Sequence, residues 1–283
     1  MTRPDHPLSQ SEARQYAVSL LNRDRATAGL SALVLDDVAT RAATRHVADM
    51  IAHGFTAHWG SDGSVPELRY GDAGGMDLVV ENVACFGDGK PHVPTDEGPF
   101  DPVDVERAEA RFFGETPPDD GHRKNILLPL HDRVGIAFGR GSGSKLLCVA
   151  QELVHHHGTY RPLPGMASPG DVVHIDGDLE APFEFGAIGI AWMDLPNPMT
   201  PAALLATGSY HMPEPHVLFQ TDEFETPRPV KVIGRHFSID VPFDPSTMNG
   251  KKRGLYEVIV YAKAPNAGPR IDPVSARVLR IEP

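Results

Sequence analysis

Four segments of the chain carry histidine or glutamate in settings that could do chemistry. They are His58 in a Gly- and Asp-rich stretch, Glu81-Asn82-Val83-Ala84, Phe112-Phe113-Gly114-Glu115, and Gly121-His122-Arg123-Lys124-Asn125-Ile126-Leu127. Two imidazoles can bind a divalent transition ion while carboxylates orient waters or complete the shell, a donor set that suits Zn2+ better than Ca2+. The same residue types support hydrolysis, with a glutamate as general base on a water. Ala108, Phe112 and Glu115 stand at i, i+4 and i+7, so the Glu115 carboxylate projects from a packed helix face and needs a partner there. No Ser-His-Asp or Cys-His arrangement is better placed, because neither Cys85 nor Cys148 sits in a nucleophile motif.

Other histidines read as structural. His46 lies on the apolar face of a helix, as a satisfied core histidine does, and His53 in that helix's last turn suits the dipole. In His155-His156-His157 successive side chains alternate faces, so at most two could join one site; a solvated domain junction is the expectation.

The elements that must position these residues are legible. Ser9 and Glu12 form a capping-box pattern ahead of Ala13, Tyr16, Ala17, Leu20 and Leu21, and Gly29 stops that helix. Asp36 or Asp37 caps a second helix with Ala39, Ala42, Ala43, Val47 and Met50 on its apolar face, ended by Gly54. Residues 59–78 lack periodicity and read as a long loop, of the kind that frames a site. Asp101 and Pro102 start a third helix that Pro117-Pro118 ends, and a short helix follows at His122. "RVGIAFG" and "KLLCVAQELV", separated by "RGSGS", read as a hairpin.

Taken in order, the four segments resemble the bacterial branch of the CAP superfamily (cysteine-rich secretory, antigen 5 and pathogenesis-related proteins; SCP or TAPS domains). The opening "LLNRDRATAGLSALVLDDVATRAATRHVADM" is similar to that family's first two helices, and "RVGIAFG" with "VAQELV" to its closing strands. The resemblance covers roughly residues 9–155 and implies an α+β fold, an α-β-α sandwich. Carried over residue by residue, it implies a ligand-binding tetrad of His58, Glu81, Glu115 and His122, with His58 and His122 as metal ligands. Glu115 rests on the eukaryotic pattern, since many bacterial members lack an acid there. Two histidines fall short of the three protein ligands of a catalytic zinc, so weak, exchangeable Zn2+ is the expected cofactor. The alternative is that the tetrad is a buried polar network holding loop and helix together. Arg123 and Asn125 are assigned to the short helix and its neighbours.

Proline usage divides the chain: ten of its 27 prolines fall in residues 1–154 and seventeen in the shorter remainder. Domains at 1–157 and 158–283 are expected, with residues 156–168 as a linker or edge connection. After residue 158, short runs such as "DVVHID", "FGAIGIAWM" and "LYEVIVYAKA" read as strands with no convincing helix. Gly254-Leu255-Tyr256-Glu257-Val258 looks like the strand start bearing a tyrosine corner, so the second domain is expected to be an immunoglobulin-like or fibronectin-like sandwich. Trp192, Tyr210, Tyr256 and Tyr261 are assigned to its core rather than to a sugar-stacking platform.

The chain of 283 residues carries a formal charge of −12, which argues against nucleic acid and anionic lipid heads as partners. No run of about 18 apolar residues exists, so no transmembrane helix is expected. The N-terminus lacks the apolar core of a secretory signal. The resemblance implies a secreted or periplasmic native form, whose signal this sequence does not include; a cytoplasmic location stays open. Cys85 and Cys148 allow one bridge if the fold brings them together. The expected function is an extracytoplasmic binding protein whose cleft takes a lipid or glycan near an optional metal, the second domain serving attachment. Two alternatives are a metal-assisted hydrolase with Glu81, or Glu81 and Glu115, as catalytic groups, and a purely structural interaction module.

Overall fold

A computed structural model describes residues 2–265 and 268–282. They fall into two compact units. The first takes in the residues up to Gly75, Val79–Val154 and Asn197–Tyr210; the second takes Met76–Leu78, His155–Pro196 and the residues from His211 onward. The segment 197–210, which the sequence reading places in the second domain, is thus part of the first unit.

The first unit runs α1 (Gln10–Thr27), β1 (Val34–Leu35), α2 (Asp37–His53), α3 (Pro66–Asp72), β2 (Leu78–Phe86), β3 (Pro94–Thr95), α4 (Pro102–Phe113), α5 (Gly121–Ile126), β4 (Arg133–Gly141), β5 (Leu147–His155) and, from the later segment, α6 (Pro201–Leu205). The caps follow the sequence. Ser9 and Glu12 close the capping box of α1, Asp36 accepts from Ala39 N at the start of α2, and Gly54 ends α2 in the left-handed region. Two short helices escape the sequence reading. In the stretch taken as one loop, α3 begins with Pro66 at its first turn and buries Glu67, Arg69 and Tyr70. In the half expected to be free of helix, Thr200 caps α6. Seven and five residues are too few for a 3.6-residue period to register.

Strands β1, β4, β5 and β2 lie in that order in one sheet, with β3 paired to β4. Alternation along β4 and β5 divides the core. Val134, Ile136, Phe138, Leu147, Val149 and Leu153 pack with α1, α4 and α5. Ala137, Cys148 and Ala150 pack with α2, so helices cover both faces. Helix α2 sits unusually close, since a Cβ on Gly135 would meet the Ala39 carbonyl carbon at 2.1 Å. Cys85 of β2 and Cys148 of β5 are joined in a disulfide.

The second unit comprises β6 (Gly158–Tyr160), β7 (Met166–Ala167), β8 (Val172–Leu179), β9 (Glu184–Met193), β10 (Val217–Phe219), β11 (Lys231–Ile233), β12 (His236–Pro242), β13 (Gly254–Lys263) and β14 (Asp272–Ile281). They form sheets of order β10-β9-β13-β14-β7 and β11-β12-β8-β6. Tyr256 is fully buried, and its hydroxyl donates to Met248 O at 3.4 Å. Trp192 lies outside the buried core, under the Lys251 ammonium at 4.0 Å. The histidine run begins where the second unit resumes at His155, as expected of a junction, but it is packed and not solvated. His155 is buried with Nδ1 3.0 Å from Pro273 O, His156 pairs with Asp77 at 3.0 Å, and His157 stacks on Phe183.

Candidate functional site

The four residues singled out in the sequence form two imidazole–carboxylate pairs. His58 lies on the loop after α2, and its Nδ1 is 2.9 Å from Oε1 of Glu81 on β2. His122 lies in the first turn of α5, and its Nδ1 is 2.7 Å from Oε1 of Glu115. A carboxylate can only accept, so each Nδ1 carries the proton, and in the neutral ring it is Nε2 that keeps a lone pair. Glu115 also accepts the His122 backbone N–H at 2.9 Å and pairs with Arg111 at 2.8 Å. Phe112 of the same motif packs its ring 4.9 Å from that of His122.

Asparagines hold the two pairs side by side. Asn82, next to Glu81, donates to His122 O at 3.3 Å and to Gln151 Oε1 at 3.1 Å. Asn125 donates to Asn82 Oδ1 at 2.9 Å. Gln151 passes the chain to Glu109 at 2.7 Å. Strand β2, helix α5 and helix α4 are therefore stitched by side-chain amides, which have both donors and acceptors to offer. Arg123 donates to Phe113 O at 2.7 Å and lies over the Phe113 ring.

Behind the His58 pair sits a buried charge cluster that the sequence reading leaves out. Arg69 Nη2 meets Glu81 Oε2 at 2.6 Å, with both side chains almost fully enclosed. His46 Nε2 donates to Ala57 O at 2.8 Å and lies 3.8 Å from Glu81. Glu152, on β5 and fully buried, has no donor on either oxygen, and its neighbour is Glu81. Two neighbouring buried carboxyls disfavour a second charge, so burial and the Glu81 carboxylate favour the protonated form of Glu152.

The electrostatics agree with that division. Burial acts to raise Glu81, but Arg69, His46 and His58 outweigh it and hold its carboxyl well below the usual range. Burial and then Glu81 push Glu152 well up. Burial raises Glu67 to about 7. His46 is pushed down to about 4 by burial and then by Arg69, so it is neutral. Burial lowers His122 against the pull of Glu115, which is itself held low by His122 and Arg111 against its own burial.

Helices α1 to α5, the sheet and both pairs come from one continuous stretch, residues 10–155. Residues 18–152 match the CAP family, described as the cysteine-rich secretory protein family. The matched stretch contains all four of His58, Glu81, Glu115 and His122. No curated protein sequence matches the chain. Solved structures similar to it include an extracellular protein containing a SCP domain from Bacillus anthracis str. Ames, 18% identical with a TM-score of 0.37, matched over 52% of this chain and 41% of that one. The chain therefore spans less than half the length of that protein. Another is an outer surface protein from Borrelia burgdorferi, 15% identical with a TM-score of 0.39, over 52% of this chain and 96% of that one. A third is NaASP2 with Zn2+, 15% identical with a TM-score of 0.36, over 54% and 83%.

For a metal the matched stretch would offer two imidazole Nε2 atoms, each ring backed by a carboxylate that orients it. Among the described residues no group of three or more His, Cys, Asp or Glu side chains is arranged to hold an ion. Two imidazoles are too few donors for a closed structural site, which takes four protein ligands.

Proposed function

We propose that the CAP domain is an extracytoplasmic binding domain whose recognition centre is the paired His58–Glu81 and His122–Glu115 site, with His58 and His122 the positions for a weakly held Zn2+. The observation that carries this reading is the shared geometry of the two pairs, each with Nδ1 engaged at 2.9 or 2.7 Å and Nε2 presented. A bound ion would supply a Lewis-acidic anchor for an oxygen of a lipid or glycan ligand. Hydrolysis is the weaker reading, because Glu81 is held ionised by Arg69 far below neutral pH, where it makes a poor general base. An oxidising location is supported by the Cys85–Cys148 disulfide. The second unit is read as an immunoglobulin-like or fibronectin-like sandwich serving attachment to a cell surface, on the support of its two sheets and of the Tyr256 hydroxyl bond to Met248.

Calorimetry with ZnCl2 on the full chain tests the site. The wild type gives a binding heat at neutral pH that fades as imidazoles protonate, and His58→Ala with His122→Ala abolishes it. A heat that survives the double substitution, or none in the wild type, overturns the metal part of the reading.

A further inference from the structure

Residues Asn197–Tyr210 lie between β9 and β10 in sequence, yet they pack within the first unit. Their contacts fall on and beside the loop that carries His58. Met199 N donates to Ser61 O at 2.8 Å. Leu204 is fully buried in the cluster that holds Phe55 and Ala57, with Met199 and Trp59 packed against it. The Tyr210 ring meets Trp59 edge-on at 5.2 Å, and its hydroxyl donates to Glu67 at 2.9 Å. Gly63 has φ +81°, and a Cβ there would come within 2.4 Å of the Asn197 carbonyl oxygen. Loop and segment therefore meet backbone to backbone, closer than any side chain allows.

The loop is gripped from its other side by the site itself. Asp49 of α2 accepts from Ser61 N and Oγ at 2.7 and 2.6 Å. Arg69 donates to Ser64 O at 2.8 Å while it pairs with Glu81, the partner of His58. A displacement of the loop thus reaches His58 both along the chain and through Arg69.

We propose that residues Asn197–Tyr210 form a strap that positions His58, with Tyr210 as its clasp, so that the site is completed by a segment outside the family match. The inference rests on the reading of the two imidazole–carboxylate pairs as the functional centre. A five-residue helix such as α6 has no stability of its own, so the strap is ordered only while docked. Elements held by so few buried groups open more readily than the sheet behind them.

The test uses the full chain with Trp192→Phe, which leaves Trp59 as the sole tryptophan. Gly63→Ala is compared with Gly29→Ala, where φ is +72° but nothing lies within 4 Å of the added carbon, so both carry backbone strain and only one displaces the strap. The readouts are Trp59 emission and the Cε1–H resonances of His58 and His122. Gly63→Ala is expected to red-shift Trp59 and move the His58 resonance while His122 stays in place, and Gly29→Ala to move neither. Tyr210→Phe, which removes only a hydroxyl, is expected to move the same two signals by less, and carries the test if Gly63→Ala does not fold. A His58 resonance unmoved by both strap variants, or moved equally by Gly29→Ala, overturns the strap. ZnCl2 titration of each variant separates the two proposals: strap variants that move His58 in a chain whose wild type ignores zinc sustain the strap and sink the metal reading.

Discussion

Replacing Glu81 and Glu152 by glutamine, singly and together, tests the assignment of one proton to that pair. Glu81 is the acceptor for an Arg69 guanidinium whose side chain is only 2% exposed. In Glu81→Gln the buried cation loses its counter-ion, which costs about 3–5 kcal/mol when nothing compensates. Glu152 can compensate, because without the Glu81 charge it is free to ionise beside Arg69. The single substitution is therefore expected near the lower end, about 3 kcal/mol. Glu152→Gln replaces a neutral acid by a neutral amide of the same shape, whose NH2 can donate to Glu81, so about 1 kcal/mol is expected. The double variant removes the reserve charge as well and should exceed the sum of the singles by about 2 kcal/mol. Urea unfolding at pH 7, followed by Trp59 emission with Trp192→Phe, reports the first unit alone. A Glu152→Gln cost as large as that of Glu81→Gln would mean that Glu152 is ionised in the folded chain. Strict additivity would refute the shared proton.

Burial raises Glu109 to about 8, so between about pH 4.5 and 8 the folded state holds a proton that the unfolded state has lost. Its contribution to stability is full below the unfolded value and falls by at most about 1.4 kcal/mol per pH unit toward pH 8; Glu109→Gln should flatten that slope in unfolding measured from pH 5 to 8. Reducing the Cys85–Cys148 bridge frees a loop with a sequence separation of 63, and the chain-entropy account gives a loss of about 4 kcal/mol, read as a lowered urea midpoint in dithiothreitol. Gly135→Ala forces a carbon to within 2.1 Å of the α2 backbone, so it should destabilise by about 3 kcal/mol, whereas Gly71→Ala, with nothing within 4 Å, should stay within about 0.5. Thermal melts of both compare the two sites.

Helices α1, α2 and α4 were legible because their caps and periodic faces sit in the local sequence: Ser9 with Glu12, Asp36, and Asp101 with Pro102. Strand β13 was legible as a strand from "LYEVIVYAKA", although the structure buries nearly all of its positions instead of one face in alternation. The two imidazole–carboxylate pairs came through the resemblance, which named His58, Glu81, Glu115 and His122; their hydrogen bonds needed coordinates. What stayed hidden depends on long-range burial. Glu152 follows Gln151 in a strand buried at every position, and two polar residues in a run covered on both faces are the one signal that could have exposed it. Arg69 and Glu67 sat in a stretch without periodicity, on a helix of seven residues. Tyr210 was assigned to the second domain's core because nothing local marks a segment that packs with residues well over a hundred positions earlier.

The most direct test of the paired site is 15N imidazole NMR of the full chain with and without ZnCl2. Without metal, His58 and His122 should both show a protonated Nδ1 and a bare Nε2, and zinc should shift both Nε2 resonances together while the buried His46 is unmoved. Shifts confined to other histidines, such as His155 to His157 or His174, would contradict it, as would a His58 and His122 that respond at different zinc concentrations.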